Sequence, residues 1–380
     1  MSKIWTIMLV GLLLCFLPAG AEEEPVRYEQ SLPQNRVIVG YEPGVRLPEV
    51  RGAYKVFEDE MLGFSVFEAA YPEDIAGQFY GMSGVRYVEP DYVATAFFTP
   101  NDPLFSQQYG PQSIRAPQAW DVQAGSEGVM VAVVDTGVDY THEDLYGRVI
   151  PGYDYVNNDT DPMDDQGHGT HCAGIIGATL NNGVGIAGIA QVSIMAVKAL
   201  DSQGSGYYSW ISSGIRYAVD NGANVISMSL GGPSDSQVMR DACDYAWNNG
   251  VLVVAAAGND YGGAVSYPAK YDSVMAVSAI DSNDKLAYYS NVGPEIEVCA
   301  PGSSVLSTYP GNQYVSMSGT SMACPHVAGV AGLVFSQSPY LSNVDVRNML
   351  CDTAIDLGSY GWDQSFGYGK VNAEGAVLAA

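Results

Sequence analysis

Residues 129–134 read Val-Met-Val-Ala-Val-Val, an apolar run with no polar interruption. A strand with one wet face alternates polar and apolar side chains, so an unbroken run marks a strand covered on both faces. The same character returns at 193–197, 224–228, 251–257 and 273–279. Between these runs lie helical stretches at 168–178, 208–221, 236–249 and 321–336. Strands alternating with helices imply an α/β fold, a mainly parallel central sheet with helices on both faces. Ligands of such sheets sit beyond the carboxyl ends of the strands. That rule singles out Asp135, which ends the first run, and Asn259, which follows the run 251–257 after Gly258. His168 and Ser321 each open a helical stretch, so all four can converge on one edge of the sheet.

The chain in front of this pattern reads differently. Residues 36–41, 65–69 and 85–90 are β-rich, and 72–80 suits a short helix with Pro72 at its start. This is a small α+β unit, a sheet with helices on one side. A chain of 380 residues suits one such small unit and one large domain. The first residues are Met-Ser-Lys, then an apolar run from Ile4 to Pro18, then Ala19-Gly20-Ala21. A charged start, a short apolar run and a small-x-small end predict a secretory signal peptide over 1–21. The run is short for a stable membrane span. Cys15 follows Leu14, where lipid attachment would want a small residue. No later run reaches the ~18 apolar residues of a membrane helix, so no membrane association is expected after the signal is removed.

Composition excludes one class of partner. The net charge is −26, and phosphate binding needs a basic patch, so no nucleic acid partner is expected. The acidity is compatible with cation binding and solubility in salt, and equally with a generic acidic extracellular surface. Outside the signal, Cys172, Cys243, Cys299, Cys324 and Cys351 make an odd set. At least one is therefore free or pairs between molecules, and no spacing resembles a zinc framework.

A serine hydroxyl is a weak nucleophile until a neighbouring base takes its proton. His168 is the candidate base, Asp135 the carboxylate that holds its tautomer, and Ser321 the nucleophile. Ser321 at a helix N-terminus also faces oriented N–H groups that favour developing negative charge. Its own N–H and the side-chain amide of Asn259 are the candidate oxyanion donors. Each signal has a plainer reading by itself. Asp-Thr-Gly suits a strand-ending turn, and Gly-Thr-Ser-Met-Ala suits a helix cap. His168-Gly-Thr-His171 suits a satisfied buried pair, or half a metal site given the adjacent Cys172, although no Glu follows His168 in the two-His zinc pattern. Chance explains them poorly once they occur together, in the order Asp, His, Ser, with Gly258-Asn259 between the last two.

The segments 134–137 (Val-Asp-Thr-Gly), 165–171 (Asp-Gln-Gly-His-Gly-Thr-His), 227–232 (Ser-Met-Ser-Leu-Gly-Gly), 255–259 (Ala-Ala-Ala-Gly-Asn) and 319–323 (Gly-Thr-Ser-Met-Ala) resemble those of the subtilisin family of serine peptidases. The runs 99–103 and 108–112 resemble the thermitase branch of that family, and the similarity covers essentially all of 98–380. The resemblance implies a secreted, monomeric serine endopeptidase with a subtilisin-like fold, acting on proteins or peptides through an acyl-enzyme. It also implies that 22–97, ending Tyr87-Val-Glu-Pro-Asp91, is an inhibitory propeptide cut near Phe97-Phe98, and that 98–380 is the peptidase domain. Substrate would add as a strand beside Ser229-Leu230-Gly231 and Gly204-Ser205-Gly206, with a pocket for the residue before the cut bond between Ser229–Gly231 and Ala256–Gly258. Read without the resemblance, those glycines are ordinary turns. Asp102, Asp144 and Asn182 match a family calcium site completed by backbone oxygens near Thr179, Val184 and Ile186. Asp154, Asn157, Asp159 and Asp161 are a second candidate, with a solvated acidic loop as the alternative. One departure is Cys324, where relatives carry a small hydroxyl-bearing residue before Pro-His.

Overall fold

The computed structural model describes residues 35–92 and 98–380. The chain divides into two compact units, residues 1–96 and 97–380. The expected signal peptide, and the cut expected near Phe97-Phe98, involve residues outside those described.

In the first unit, β1 (Arg36–Tyr41), β2 (Ala53–Asp59), β3 (Phe64–Ala69) and β4 (Val85–Pro90) form an antiparallel sheet in the order β2-β3-β1-β4. The helix α1 (Pro72–Phe79) has Pro at its start, where a missing N–H costs nothing. Val37, Val39, Phe67, Ile75 and Phe79 join helix and sheet in one small core. The expectation of several helices is corrected to one among the described residues. The stretch before β2 carries Pro48 and Gly52 and stays irregular, while β2 itself is an exposed edge strand whose apolar residues the pattern did not flag.

The second unit begins with two short helices, α2 (Tyr109–Ser113) and α3 (Ala116–Trp120). Seven strands follow in the large sheet: β5 (Met130–Asp135), β6 (Val149–Asp154), β7 (Ser193–Lys198), β8 (Val225–Met228), β9 (Leu252–Ala256), β10 (Val274–Ile280) and β11 (Ile296–Pro301). Their order is β11-β10-β9-β8-β5-β7-β6, and every pairing is parallel. The helices α4 (His168–Gly177), α5 (Tyr208–Asp220), α6 (Gln237–Asn248) and α7 (Thr320–Gln337) cover it, with α8 (Asn343–Asp352) and α9 (Ala373–Ala379) closing the chain. A hairpin, β12 (Val305–Tyr309) and β13 (Gln313–Met317), precedes α7.

The unbroken apolar run now has its physical cause. Val131 and Val133 point into a core shared with α4 and α7, while Ala132 and Val134 point into a core shared with α5 and α6. Burying each valine contributes roughly 1.5–3 kcal/mol, and a charge at any of these positions would face a dry layer. From β5 the chain first builds β6 and β7 on one side, then returns to β8 on the other. That reversal opens a crevice at the strands' carboxyl ends, and Asp135 stands there. Among the described residues no helix is long and apolar enough to cross a membrane.

Candidate active site

Asp135 is fully buried, and its Oδ1 accepts the Thr136 N–H at 2.7 Å and His168 Nδ1 at 2.7 Å. His168 is the first residue of α4, and its N–H donates to Gln166 Oε1 at 2.8 Å. The turn before it needs Gly167, whose φ of 110° lies in the left-handed region and where a Cβ would stand 2.1 Å from the Tyr309 ring. Burial pushes the His168 pKa down, but the charges of Asp135 and Asp164 outweigh it and leave it raised above 6.5.

Ser321 is the second residue of α7. Four residues on, Pro325 has no N–H to return to Ser321 O. That carbonyl instead accepts Ser229 Oγ at 2.7 Å and faces the Cys172 thiol at 3.5 Å. The proline so ties the nucleophile's turn to the strand-end loop after β8. The Ser321 hydroxyl itself donates to Ser229 O at 3.2 Å rather than to His168. Asn259 Oδ1 accepts both the N–H (2.9 Å) and the hydroxyl (3.1 Å) of Thr320, which leaves its NH₂ group as the free end of the amide.

His168, Ser321 and Asn259 line one cavity of about 600 Å³. Gly204, Ser205, Gly206, Ser229, Leu230, Gly231, Ala256 and Gly258 line it too, so the structure brings every residue expected to bind substrate to one place. Sequence reasoning missed Gln166, Tyr208, Ile211 and Ser266 on the same walls. It also missed two buried residues that hold the site from behind. Lys198 on β7 is paired in register with Asp135 and donates to Thr136 O, Leu200 O and Asp165 Oδ1 at 2.7, 3.0 and 2.7 Å. Asn291 accepts the Asp260 N–H at 2.7 Å and donates to Ala264 O at 2.9 Å, fixing the loop that carries Asn259. Each has a partner far away in sequence, Thr136 O for Lys198 and the 260–264 loop for Asn291, and so leaves no local motif.

Asp135, His168 and Cys172 each place a possible ligand atom within 4.8 Å of the others. Burial drives the Cys172 thiol well above 9, and its sulfur faces Ser321 O at 3.5 Å as a donor. Cys324 is likewise buried, bonded to Val254 O at 3.3 Å, and pushed up to about 11 by burial. The departure from the family's hydroxyl therefore lies inside the core beneath Ser321 rather than in the cavity.

Asp102, Asp144 and Asn182 meet as expected from three segments. Asn182 Nδ2 donates to Asp144 Oδ1 at 2.8 Å, and the Asn182 N–H donates to Asp102 Oδ1 at 3.1 Å. Ile186 N–H donates to Asp144 Oδ2 at 2.9 Å, Thr179 N–H to Asp144 O at 2.9 Å, and Val184 N–H to Asn182 Oδ1 at 2.7 Å. Both carboxylates are buried, and among the described residues neither pairs with a basic side chain. Burial, together with the Asp102 charge, pushes Asp144 up to about 6. Two buried acids without a basic partner are the chemistry a divalent cation such as Ca²⁺ takes, while Thr179, Val184 and Ile186 meet the site through their N–H groups and not through the expected backbone oxygens. The other candidate differs. Asp154 Oδ1 already accepts the N–H groups of Val156 and Asn157 at 2.7 and 2.9 Å, and its Oδ2 accepts Asn157 Nδ2 at 2.8 Å. Asp159 accepts the Asp161 N–H at 2.9 Å and Asp161 accepts Tyr140 OH at 2.7 Å. Asp154 is buried, but Asp159 and Asp161 are exposed, so only one of these three acids is held away from water.

An imidazole clamped by a buried carboxylate, opening on the same cavity as a helix-borne serine and a free amide, defines a serine hydrolase on a doubly covered parallel sheet. Residues 126–369 match the Subtilase family (Peptidase_S8). The chain is 51% identical over 284 residues to thermitase of Thermoactinomyces vulgaris, covering 74% of this chain and 99% of that one. It is 48% identical over 316 residues to the thermophilic serine proteinase of Bacillus sp. (strain AK1), covering 83% and 78%. Subtilisin E of Bacillus subtilis (strain 168) is 38% identical over 391 aligned positions, 99% of each chain. The chain belongs to the subtilase family of serine peptidases.

Proposed function

We propose that the protein is a secreted, monomeric endopeptidase made as a zymogen, in which residues 22–97 serve as an inhibitory propeptide and 98–380 as the enzyme. The observation that carries the residue roles is the 2.7 Å pairing of His168 Nδ1 with buried Asp135. It reserves Nε2 as the nitrogen available to the cavity that Ser321 lines. His168 takes the Ser321 proton once substrate binds and the hydroxyl leaves Ser229 O, a tightening common on forming the Michaelis complex. Ser321 Oγ attacks the peptide carbonyl, the amine leaves with the proton held by His168, and water then releases the acyl group. The Ser321 N–H and Asn259 Nδ2 receive the oxyanion, Asn259 being aimed by the two Thr320 bonds that hold its oxygen. The substrate lies as a strand between 204–206 and 229–231. Asp102, Asp144 and Asn182 would hold Ca²⁺, which ties the N-terminal segment to the 182–186 loop.

A fluorophosphonate label tests the reading. The mature protein reacts at Ser321 and digests casein, while Ser321→Ala does neither; in a subtilisin, losing the serine or histidine costs about 10⁶ in turnover. A parent protein that folds and stays unlabelled overturns the assignment, and one that labels but cleaves only esters narrows it. N-terminal sequencing of the secreted form gives a start near Phe98; a start well before Asp91 would sink the propeptide.

A further inference from the structure

Asp164 is a buried carboxylate (6% exposed) that forms no ion pair among the described residues. It lies in the loop between β6 and α4, and five donors converge on it. Oδ1 accepts Thr136 Oγ1 at 2.8 Å, Gln166 N–H at 3.0 Å and Gly167 N–H at 2.8 Å. Oδ2 accepts the N–H and the hydroxyl of Thr170 at 2.9 and 2.6 Å. Thr136 Oγ1 in turn accepts the Gly169 N–H at 2.9 Å. Thr136 follows Asp135 directly, and 166, 167, 169 and 170 flank His168 on both sides. One side chain therefore binds the Thr136 hydroxyl on the Asp135 side and backbone N–H groups on both sides of His168, with no hydrogen bond to the side chain of either partner. A buried charge is tolerable only with such a set of donors, and each bond to it is stronger than a neutral one.

We infer that Asp164 is a positioning residue for the general base, tying the end of β5 to the first turn of α4 and placing a second acid near the imidazole. The inference rests on reading His168 as that base. The charge has few competitors there. From β5, Asp135 faces the ring. On α4, Cys172 is held as a neutral thiol, and burial pushes His171 down to about 4, so it is neutral as well. Lys198 from β7 is engaged with Asp165 and two carbonyls. α7 presents the uncharged Ser321. Asp164 is thus a second acid raising the affinity of His168 for a proton, after Asp135.

Two substitutions separate position from charge. Asp164→Asn keeps the shape, removes the charge and turns one acceptor into a donor facing donors. Per site titrated with fluorophosphonate, its kcat falls about tenfold or more with KM little changed, because small misplacements of a catalytic group are costly. The acid limb of kcat/KM moves to lower pH by about 0.5–1 unit, since a neutral His168 persists further into acid. Thr136→Val keeps the charge but cuts the hydroxyl bridge, so kcat falls while the acid limb stays in place. If the Asn variant cannot be obtained folded, an undiminished kcat in Thr136→Val alone overturns the positioning role. Unchanged kcat and an unmoved limb in Asp164→Asn overturn the inference while the parent still labels. Failure of the parent to label overturns the reading of the site itself.

Discussion

His326 and His171 are buried, and both face backbone carbonyls. His326 lies in α7, where its Nδ1 donates to Met322 O at 2.8 Å and the backbone of Gly110 packs against its other nitrogen. His171 Nε2 reaches the carbonyls of Val305 and Val315 at 3.1 Å each. Burial pushes each from 6.5 to about 4. The unfolded chain therefore binds more protons between those values. Stability is intact above pH 6.5 and is lost as pH falls toward 4. Each histidine withdraws about 3 kcal/mol across that window, a large part of the ~5–15 kcal/mol that holds a typical domain. Asp144 works the other way without a cation, because its folded pKa of about 6 lies above 3.8. Its contribution is present below 3.8 and lost as pH rises through 6. A difference between variants cancels it. In the inactive Ser321→Ala background, His326→Asn keeps a donor for Met322 O and removes one titration. Urea unfolding followed by fluorescence from pH 7.5 to 4 should show the variant weaker at pH 7.5. Its deficit should shrink by about 1.4 kcal/mol per pH unit below 6.5. A deficit that stays constant across the range would refute the burial argument.

Three further outcomes are expected. Asn259→Leu lowers kcat by about 10²–10³, the cost measured for the equivalent donor in a subtilisin, with KM little affected; a variant that retains full turnover contradicts the oxyanion role. A chelator lowers the melting temperature of the parent, by the equivalent of about 4 kcal/mol if the cation stood at a thousand times its Kd, and leaves Asp144→Asn unmoved; calorimetry showing no response in the parent removes the calcium proposal. Gly167→Ala meets both an unfavourable φ and the Tyr309 ring, so it loses roughly 1–3 kcal/mol and most of its activity. A fully active, equally stable alanine variant would show that the turn before His168 is not constrained.

The central strands could be read because being covered on both faces forces unbroken apolar runs, and β7, β8, β9 and β10 fall within a residue or two of those runs. Four strands of the second unit escaped for identifiable reasons. β11 stands at one edge of the sheet, where Glu297 breaks its apolar run and Pro301 ends it. β6 is an edge strand carrying Pro151 and Gly152, and β12 and β13 form a two-stranded hairpin with polar positions throughout. The site divides along the same line. Asp135, His168, Asn259 and Ser321 stand in short motifs because their immediate neighbours shape the turns that present them. Lys198 and Asn291 do much of their work through backbone groups brought close by the fold, and Asp164, which mostly binds its own loop, reaches across the fold to the Thr136 hydroxyl. In one dimension Asp164 is another acid in an acidic loop, and Lys198 is the polar end of an apolar run. The pairing of Asp102 with Asp144 is likewise a product of tertiary closure, visible beforehand only through likeness to relatives.

The five cysteines of the second unit are all buried and all unpaired, and each is also more weakly acidic than a free thiol. Among the described residues no cysteine pair waits on an oxidant. The chain should reach its final shape equally well in a reducing cytosol or an aerobic medium, so a bacterial host lacking disulfide-forming machinery is a sufficient factory for it.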